Sequence, residues 1–495
     1  MQNSLLLGPI FIPLGAAFLS ILVSRNRTLQ RLIGMTSSVL AWLCAVGVLL
    51  ANLRGETLVY QLGGWQPPYG IVLVGDLLSS IFAVTATTVL AAGVLYTLGS
   101  KEISVTYRAY MPLFLGMSAG LSGALYTGDI FTLFVFIELM VICSVILVAI
   151  SDNPLGLEAA IKYLFISAMG TLFLLIGIAA LYGQFRTLNI ADIGAQLSAI
   201  ADPPLLPQAA AVMMMCALLL KSAVFPFHFW QPDFHTTAPT PVGAMLSSVV
   251  VKVGVYGLIR MLTVIFTREA LLVQNLLIAL GVIGIVFGSL GALRTYDAKR
   301  LLAYSTFGQV GFILVGIGWG TTGALVGALV YIVNHSFIKS ALLMTTGVVA
   351  SHTATKTARL SELGGVGKSQ VFTSVLYFLG GMALAGAPPL NGFISKVALI
   401  QGGIEAQNWP VAGLVVGAGI ITLLYMTRTW QWIFQRPYEG SVEVKPTGDS
   451  PLAPALLIGL CVLLGLYGAP LLDVATLAVA HISDPQIYIL AVLGG

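Results

Sequence analysis

The stretch LLLKSAVFPFHFWQPDFHTTAPTPVGAMLSSVVVKVGVYGLIR, residues 218–260, sets Lys221 into an apolar run, breaks the run at Pro226, and repeats a lysine, Lys252, 31 residues later. Apolar runs long enough to cross a bilayer recur along the chain. With 58% hydrophobic residues, 8% charged and a mean hydropathy of +0.96, against roughly 25% charged in an average soluble domain, the composition excludes a soluble fold. Met1 to Leu7 lack the basic region of a secretory leader, so the first apolar stretch reads as a retained spanning helix. Cys44, Cys143, Cys216 and Cys461 lie far apart inside apolar segments and match no zinc or CxxC spacing; they read as packing residues. The net charge of +4 is no argument for nucleic acid, because basic residues in a membrane protein mostly record loop orientation.

The sequence predicts an all-α polytopic membrane protein. Windows of about 20 apolar residues give fourteen spans, near 5–23, 32–51, 74–98, 109–127, 129–150, 160–182, 206–230, 240–263, 270–292, 301–318, 321–349, 371–402, 408–430 and 452–470. Fifteen basic residues, from Arg25 to Lys445 and including Lys162, Lys299 and Arg300, sort to loops on one side; Arg54, Arg186, Arg260 and Arg268 sort to the other. The positive-inside rule then puts the first set in the cytoplasm of a bacterial-type inner membrane and both termini outside. Residues 184–205 read as an amphipathic segment lying along the outer side.

Spans 7 and 12 carry helix breakers, Pro226 and Pro388-Pro389. Proline removes a backbone donor and clashes with the preceding turn, and freed backbone is tolerated at depth only beside a cavity or packed protein. An interrupted, lysine-bearing span in each half points to inverted repeats of transporter type. The predicted organisation is 1–108 for helices 1–3, 109–263 for a first five-helix repeat, 270–430 for a second, and 431–495 for a loop, helix 14 and a tail.

Five ionisable residues are predicted at membrane depth: Glu138, Lys221, Lys252, Lys339 and Lys396. Each costs about 2.5–3.5 kcal/mol at a helix centre. His335 lies four residues before Lys339, on the same helical face, where imidazole and amine can share a proton. The bland reading is that these charges pair only to hold the bundle together; the functional one is a midplane wire for protons. A Glu–Lys contact is a switch in that picture, because opening it leaves a buried charged lysine that tends to give up its proton.

Asp129 and Asp152 bracket the Glu138 helix and read as interfacial caps. His228, Asp233 and His235, just after the Pro226 break, are candidate intake groups for protons; the histidines read equally as interface anchors and Asp233 as a cap. His352 and His481 are assigned to loops. Tyr304, Ser305, Thr306 and Gln309 read as helix-packing hydrogen bonds. The glycine pairs in LGGVGK and FLGG follow no strand and are not nucleotide loops.

The opening stretch, with GDIFTLFVFIELM, DAKRLLAYSTFGQVG, NHSFIKSALL and GAPPLNGFISK, resembles the antiporter-like proteins shared by respiratory complex I, membrane-bound hydrogenases and Mrp-type cation/proton antiporters, over about residues 70–430. LGGWQPPYGIVLVGDLLS and the fourteen-span length make it most similar to the D-type branch of the Mrp group. The chain ends without the long lateral helix of one complex I member and without the extra C-terminal domain of the largest Mrp component. The resemblance implies that Glu138 pairs with Lys221, that Lys252 connects the halves, that His335 and Lys339 continue the path, and that Lys396 ends it toward the outside. It implies transport of H+ and Na+ with no cofactor in this chain, as one hydrophobic subunit of a hetero-oligomer in the lipid bilayer. A proton-path subunit of a Na+/H+ antiporter is therefore expected. The alternatives are the same module in a redox-driven complex and a structural anchor. No nucleophile–base pair, metal cluster or phosphate loop suggests an enzyme active site.

Overall fold

The computed structural model describes residues 2–202, 204–354, 356–438 and 443–494. Helices α1 (Gly8–Leu22) and α2 (Arg27–Asn52) lead into an antiparallel hairpin of β1 (Leu58–Gln61) and β2 (Val72–Gly75), with Leu58 opposite Gly75. The next helix, α3 (Leu77–Gly99), begins where Asp76 caps it: its carboxylate accepts from the Ser79 amide and Ser79 Oγ accepts from the Asp76 amide, both at 2.9 Å. Helices α4 (Tyr110–Tyr126), α5 (Ile130–Ala149) and α6 (Pro154–Phe185) follow. Asp129 caps α5 through the Thr132 amide. Asp152 is not the cap of α6; Asn153 reaches the Gly156 amide instead, and Asp152 sits in the preceding turn with φ 46°. The amphipathic segment forms α7 (Ile190–Ala199), which buries Ile190, Ile193 and Leu197.

Both predicted interruptions are present. Helix α8 (Leu205–Lys221) stops at the lysine, the chain turns through Pro226, and α9 (Gln231–Thr237) follows. A 26-residue rod, Thr240–Ile265, contains α10 (Thr240–Met245) and α11 (Val251–Arg260), each followed by a π-helical turn, Leu246–Val250 and Met261–Ile265. Then come α12 (Thr267–Arg294), α13 (Ala298–Trp319), the unbroken α14 (Thr322–Ala350) and the short α15 (Leu360–Leu363). Helix α16 (Val371–Ala385) ends at Gly386, φ +87°, and the chain passes Pro388-Pro389 before α17 (Asn391–Glu405). Helices α18 (Trp409–Phe434), α19 (Leu452–Leu466), α20 (Ala469–Ile482) and α21 (Pro485–Leu493) complete the described chain.

Among the described residues, ten helices are long and apolar enough to cross a bilayer unaided, or eleven if α19 and α20, bent by 81°, form one span. The other predicted spans are α4, with 17 residues, the broken pairs α8/α9 and α16/α17, and α19, whose helix stops at Leu466 rather than running to 470. The Thr240–Ile265 rod, α13 and α14 are buried nearly end to end, while α1, α2, α6 and α12 expose Phe18, Leu32, Phe165 and Leu272 on their outer faces. Two backbone clasps repeat. Ile130 N donates to Leu188 O and Ile190 N to Gly128 O, both at 2.9 Å; Ala298 N donates to Ala358 O at 2.8 Å and Leu360 N to Tyr296 O at 2.9 Å. Each ties the Asp-capped start of one helix, α5 or α13, to the segment that follows the next.

Helices α12 and α13 touch backbone to backbone. A Cβ on Gly311 would lie 2.5 Å from Gly281 O, and one on Gly288 the same distance from Gly308 N. Gly311→Val should therefore cost about 1–3 kcal/mol by overpacking. Gly413→Val, with nothing within 4 Å of its Cβ, should stay within about 0.5 kcal/mol. Thermal unfolding of the two purified variants checks this, and equal losses would contradict the close contact.

Candidate functional site

Lys221 ends α8 with its amine pointing at α6. Its Nζ donates to Ser167 Oγ at 2.6 Å, Thr171 Oγ1 at 3.0 Å and Ser167 O at 3.1 Å, and lies 3.5 Å from Glu138 Oε1. The Thr171 hydroxyl donates to Glu138, so the threonine stands between the charges of the expected pair. Ser167 and Thr171, four residues apart on α6, share one face toward the lysine, and sequence reasoning missed both. Their one signal was a pair of hydroxyls at helical spacing in an apolar run. Lys221 is buried, whereas the Glu138 side chain is 26% exposed on the outer face of α5.

The π-helical turn Leu246–Val250 widens the rod just before Lys252. Such turns are rare and concentrate at functional sites. Here two carbonyls of the turn have side-chain donors: Ser247 O accepts from Lys252 Nζ at 3.4 Å and Ser248 O from Ser336 Oγ at 3.1 Å. Lys252 Nζ lies 2.6 Å from His335 Nδ1 across the contact with α14. A hydrogen bond between two nitrogen bases needs a lone pair on one of them, so this pair carries at most one positive charge. If the lysine donates, the imidazole proton sits on Nε2, which is buried with no hydrogen-bond partner among the described residues.

His335 and Lys339 do share a face of α14, as expected, but the histidine bonds Lys252. Lys339 Nζ instead donates to Leu302 O and Ser305 Oγ of α13, both at 3.0 Å, and the Tyr425 hydroxyl donates to the same Ser305 Oγ at 3.0 Å. Ser305 thus makes its cross-helix bonds to a buried amine, whereas Thr306 bonds Ser247 and Gln309 bonds Tyr331 across helix contacts. Lys396, on α17, reaches back across the second break to Ala385 O, the last carbonyl of α16, at 2.6 Å, and lies 5.6 Å from the centre of the Phe312 ring.

The row is therefore four hydrogen-bonded segments: Glu138–Thr171–Lys221–Ser167, Lys252–His335, Lys339–Ser305–Tyr425, and Lys396 with Ala385. Transfer between segments requires a lysine side chain to swing or water to enter. Beside Lys221 a cavity of about 10 Å³, lined by Leu220, Trp230, Val250 and Val253 among others, faces the rod that bears Lys252; that is about the least volume that admits one water.

The three candidate intake residues separate. His228 packs among Phe225, Phe287 and Phe307. His235 is buried, 3.2 Å from Gln231. Asp233 pairs with Lys162 at 2.9 Å and Arg300 at 3.4 Å on the wall of a broad cavity of about 1270 Å³, also lined by Glu102, Lys299 and Lys356. Several residues that the sequence assigns to loops lie in helices, Lys162 on α6, Arg268 and Arg294 on α12, Arg300 on α13 and Arg428 on α18 among them. Arg260 is not in a loop: it is buried on α11, with two 2.7 Å bonds to Asp76 and the Tyr488 ring 4.6 Å away. Lys299 is buried at the start of α13, and His481 lies in the last turn of α20. Helix α13 starts before its apolar window at 301, which hides Lys299; Arg260 lies inside the window 240–263, where only its charge suggests a loop, and α20 lies beyond the last window. Among the described residues, no group of three or more His, Cys, Asp or Glu is gathered as a metal would require.

Residues 127–422 match the family described as NADH:quinone oxidoreductase/Mrp antiporter, transmembrane. The chain belongs to this family. The D-type Na(+)/H(+) antiporter subunit of Alkalihalophilus pseudofirmus is 31% identical over 99% of this chain and 100% of the relative. Among solved structures, a chain of the Mrp complex from Dietzia sp. DQ12-45-1b superposes with a TM-score of 0.91 at 26% identity, covering 100% of this chain and 99% of that one. A chain of the membrane-bound sulfane sulfur reductase, an archaeal respiratory membrane complex, superposes with a TM-score of 0.90 at 29% identity, each chain fully covered. This member of the Mrp antiporter and NADH:quinone oxidoreductase family is thus a multi-pass membrane protein whose structural relatives are subunits of larger membrane complexes.

The Asp76–Arg260 pair gives this family member a testable staple. Removing one partner of a buried ion pair costs about 3–5 kcal/mol because the other charge is stranded. Arg260→Leu should lose stability on that scale, and adding Asp76→Asn should recover part of it, since asparagine still caps α3. Thermal unfolding decides; a double variant no better than the single would contradict the stranded-charge account.

Proposed function

We propose that the chain is the proton-translocating subunit of a multi-subunit Na+/H+ antiporter, moving protons along Glu138, Lys221, Lys252, His335, Lys339 and Lys396. The observation that carries this reading is the row itself: four lysines and a histidine, all buried, each held by neutral oxygens or another base rather than by a fixed counter-ion, apart from the loose 3.5 Å approach of Glu138 to Lys221. Fixed ion pairs would hold charge still. Hydroxyls and an imidazole can accept a proton and pass it on.

The proposed topology has fourteen crossings, counting α4, α19 and the two broken pairs with the ten long helices, and both termini outside. The paired backbone clasps at Asp129 and Asp297 support two inverted repeats, 109–263 and 270–430. A carboxylate at membrane depth with a quarter of its side chain open is costly against lipid. The face of α5 around Glu138 therefore meets another hydrophobic subunit, and the conducted ions are H+ and Na+, in a bacterial-type inner membrane. The wider cavity lies on the face proposed as cytoplasmic and is the proposed intake; Asp233 stands on its wall, while His228 and His235 are not among the residues that line it.

A redox-driven version of the same module is the second reading, favoured by the full-length likeness to a chain of an archaeal respiratory complex. Purification of the native complex separates the two: iron–sulfur or flavin subunits in stoichiometric amounts would overturn the antiporter reading, and hydrophobic subunits without them support it. Within either complex, Lys221→Ala should abolish coupled transport while leaving assembly intact, because burying the amine is itself a cost. Transport at normal rates in assembled Lys221→Ala complexes, read in everted membrane vesicles, would contradict the proton role.

A further inference from the structure

On the wide cavity, Asp233 is held by two cations, whereas Glu102 points inward. Its carboxylate accepts from the Thr240 hydroxyl at 2.5 Å and the Thr240 amide at 3.1 Å, and the same hydroxyl accepts from Lys299 Nζ at 3.4 Å. Lys299 is buried on α13 three residues before Leu302 and six before Ser305, the two groups that hold Lys339. At about 1.5 Å rise per residue that is a climb of about 4.5–9 Å along one helix. His235 is buried beside this climb, its Nδ1 3.9 Å from where a Cβ on Gly243 would sit, one turn from Thr240. A carboxylate at the cavity, a hydroxyl, an amine and the row's Lys339 thus follow one another from the cavity inward, with His235 to one side.

We propose that Glu102, through Thr240 and Lys299, is the mouth by which protons from the wide cavity reach Lys339, with Asp233 left as a structural ion pair on the wall. The inference rests on the proposed proton role of the row. In the step, a protonated Glu102 donates to the Thr240 oxygen while the Thr240 hydroxyl proton goes to Lys299, which has passed its own proton to Lys339. Glu102 ends as a carboxylate and Lys299 as an ammonium, and no other group is consumed. The charges facing Glu102 are Lys299 from α13, Lys356 from the loop after α14, and Asp449 and Lys445 from the connector before α19; the Tyr96 hydroxyl of α3 is held by Asp449 at 2.8 Å. Burial draws the Lys356 amine below its usual range, with Glu102 and Asp449 opposing.

The test compares Glu102→Gln, Glu102→Asp, Thr240→Val and Lys339→Ala in the complete complex, in everted vesicles whose outer pH is varied from 6.5 to 8.5, roughly two units in which free protons fall a hundredfold. Glutamine keeps an acceptor for the Thr240 amide but has no carboxyl proton to give. The expected result is that Glu102→Gln and Thr240→Val lose about tenfold or more in rate at the alkaline end, that the deficit shrinks toward the acid end where protons reach Lys299 without a collector, and that Glu102→Asp works nearly normally. Lys339→Ala should be inactive at every pH. A Glu102→Gln complex as fast as the unaltered one, beside an inactive Lys339→Ala, would remove Glu102 from the path while leaving the row intact. An equal loss at every pH would reduce Glu102 to a helix cap. Normal transport by Lys339→Ala would remove the row, and this mouth with it.

Discussion

An amine at the centre of a bilayer protein needs oxygens, and a regular apolar helix has none to spare. The architecture follows from that constraint. Lys221 sits where α8 stops and borrows two hydroxyls from α6. Lys252 follows a π-helical turn that frees a carbonyl for it, and Lys396 folds back onto the last carbonyl of the broken α16. Where the helix is regular, as at Lys339, the partner helix supplies a serine and a carbonyl. Buried polar groups without partners are expensive, so the break in α16/α17 is what makes Lys396 tolerable, while oxygens of neighbouring helices and of the π-helical turn do the same for Lys221, Lys339 and Lys252.

The two halves solve the problem in mirrored ways. Lys221 lies before its break and Lys396 after, and each finishes with its amine near the broken end of the leading helix. The first half ends at an acid that is partly open on the bundle's outer face, the second at a fully enclosed lysine. Such asymmetry fits a row that begins at a contact with a neighbour and is controlled from within at its far end.

Much of this was legible in the residues. Proline marked both breaks, apolar windows found the ten long apolar helices among the described residues, and lysines inside those windows marked the row. Partners across helices were not legible, because Ser167, Thr171 and Ser305 look like ordinary small polar residues until the fold sets them beside an amine. The pairing of His335 was read along its own helix, where Lys339 is four residues away, whereas the nearer base belongs to another helix. The π-helical turn before Lys252 has no residue signature, since LSSVV suits a regular helix equally well. Lys299 reads as a loop residue because α13 begins before its apolar window, and Arg260, inside its window, because charge alone suggests a loop; that hid both a staple and a link to the cavity.

The central claim is that the buried bases act as one connected path rather than as separate props, and the contact between Lys252 and His335 is where the two halves meet. A double-mutant cycle of Lys252→Met and His335→Ala on the rate of coupled transport tests it directly, in assembled complexes of matched amount. Groups acting as a unit lose their effect together, so the double variant should be no slower than the slower single. Losses that multiply, each substitution slowing transport independently of the other, would contradict a shared path.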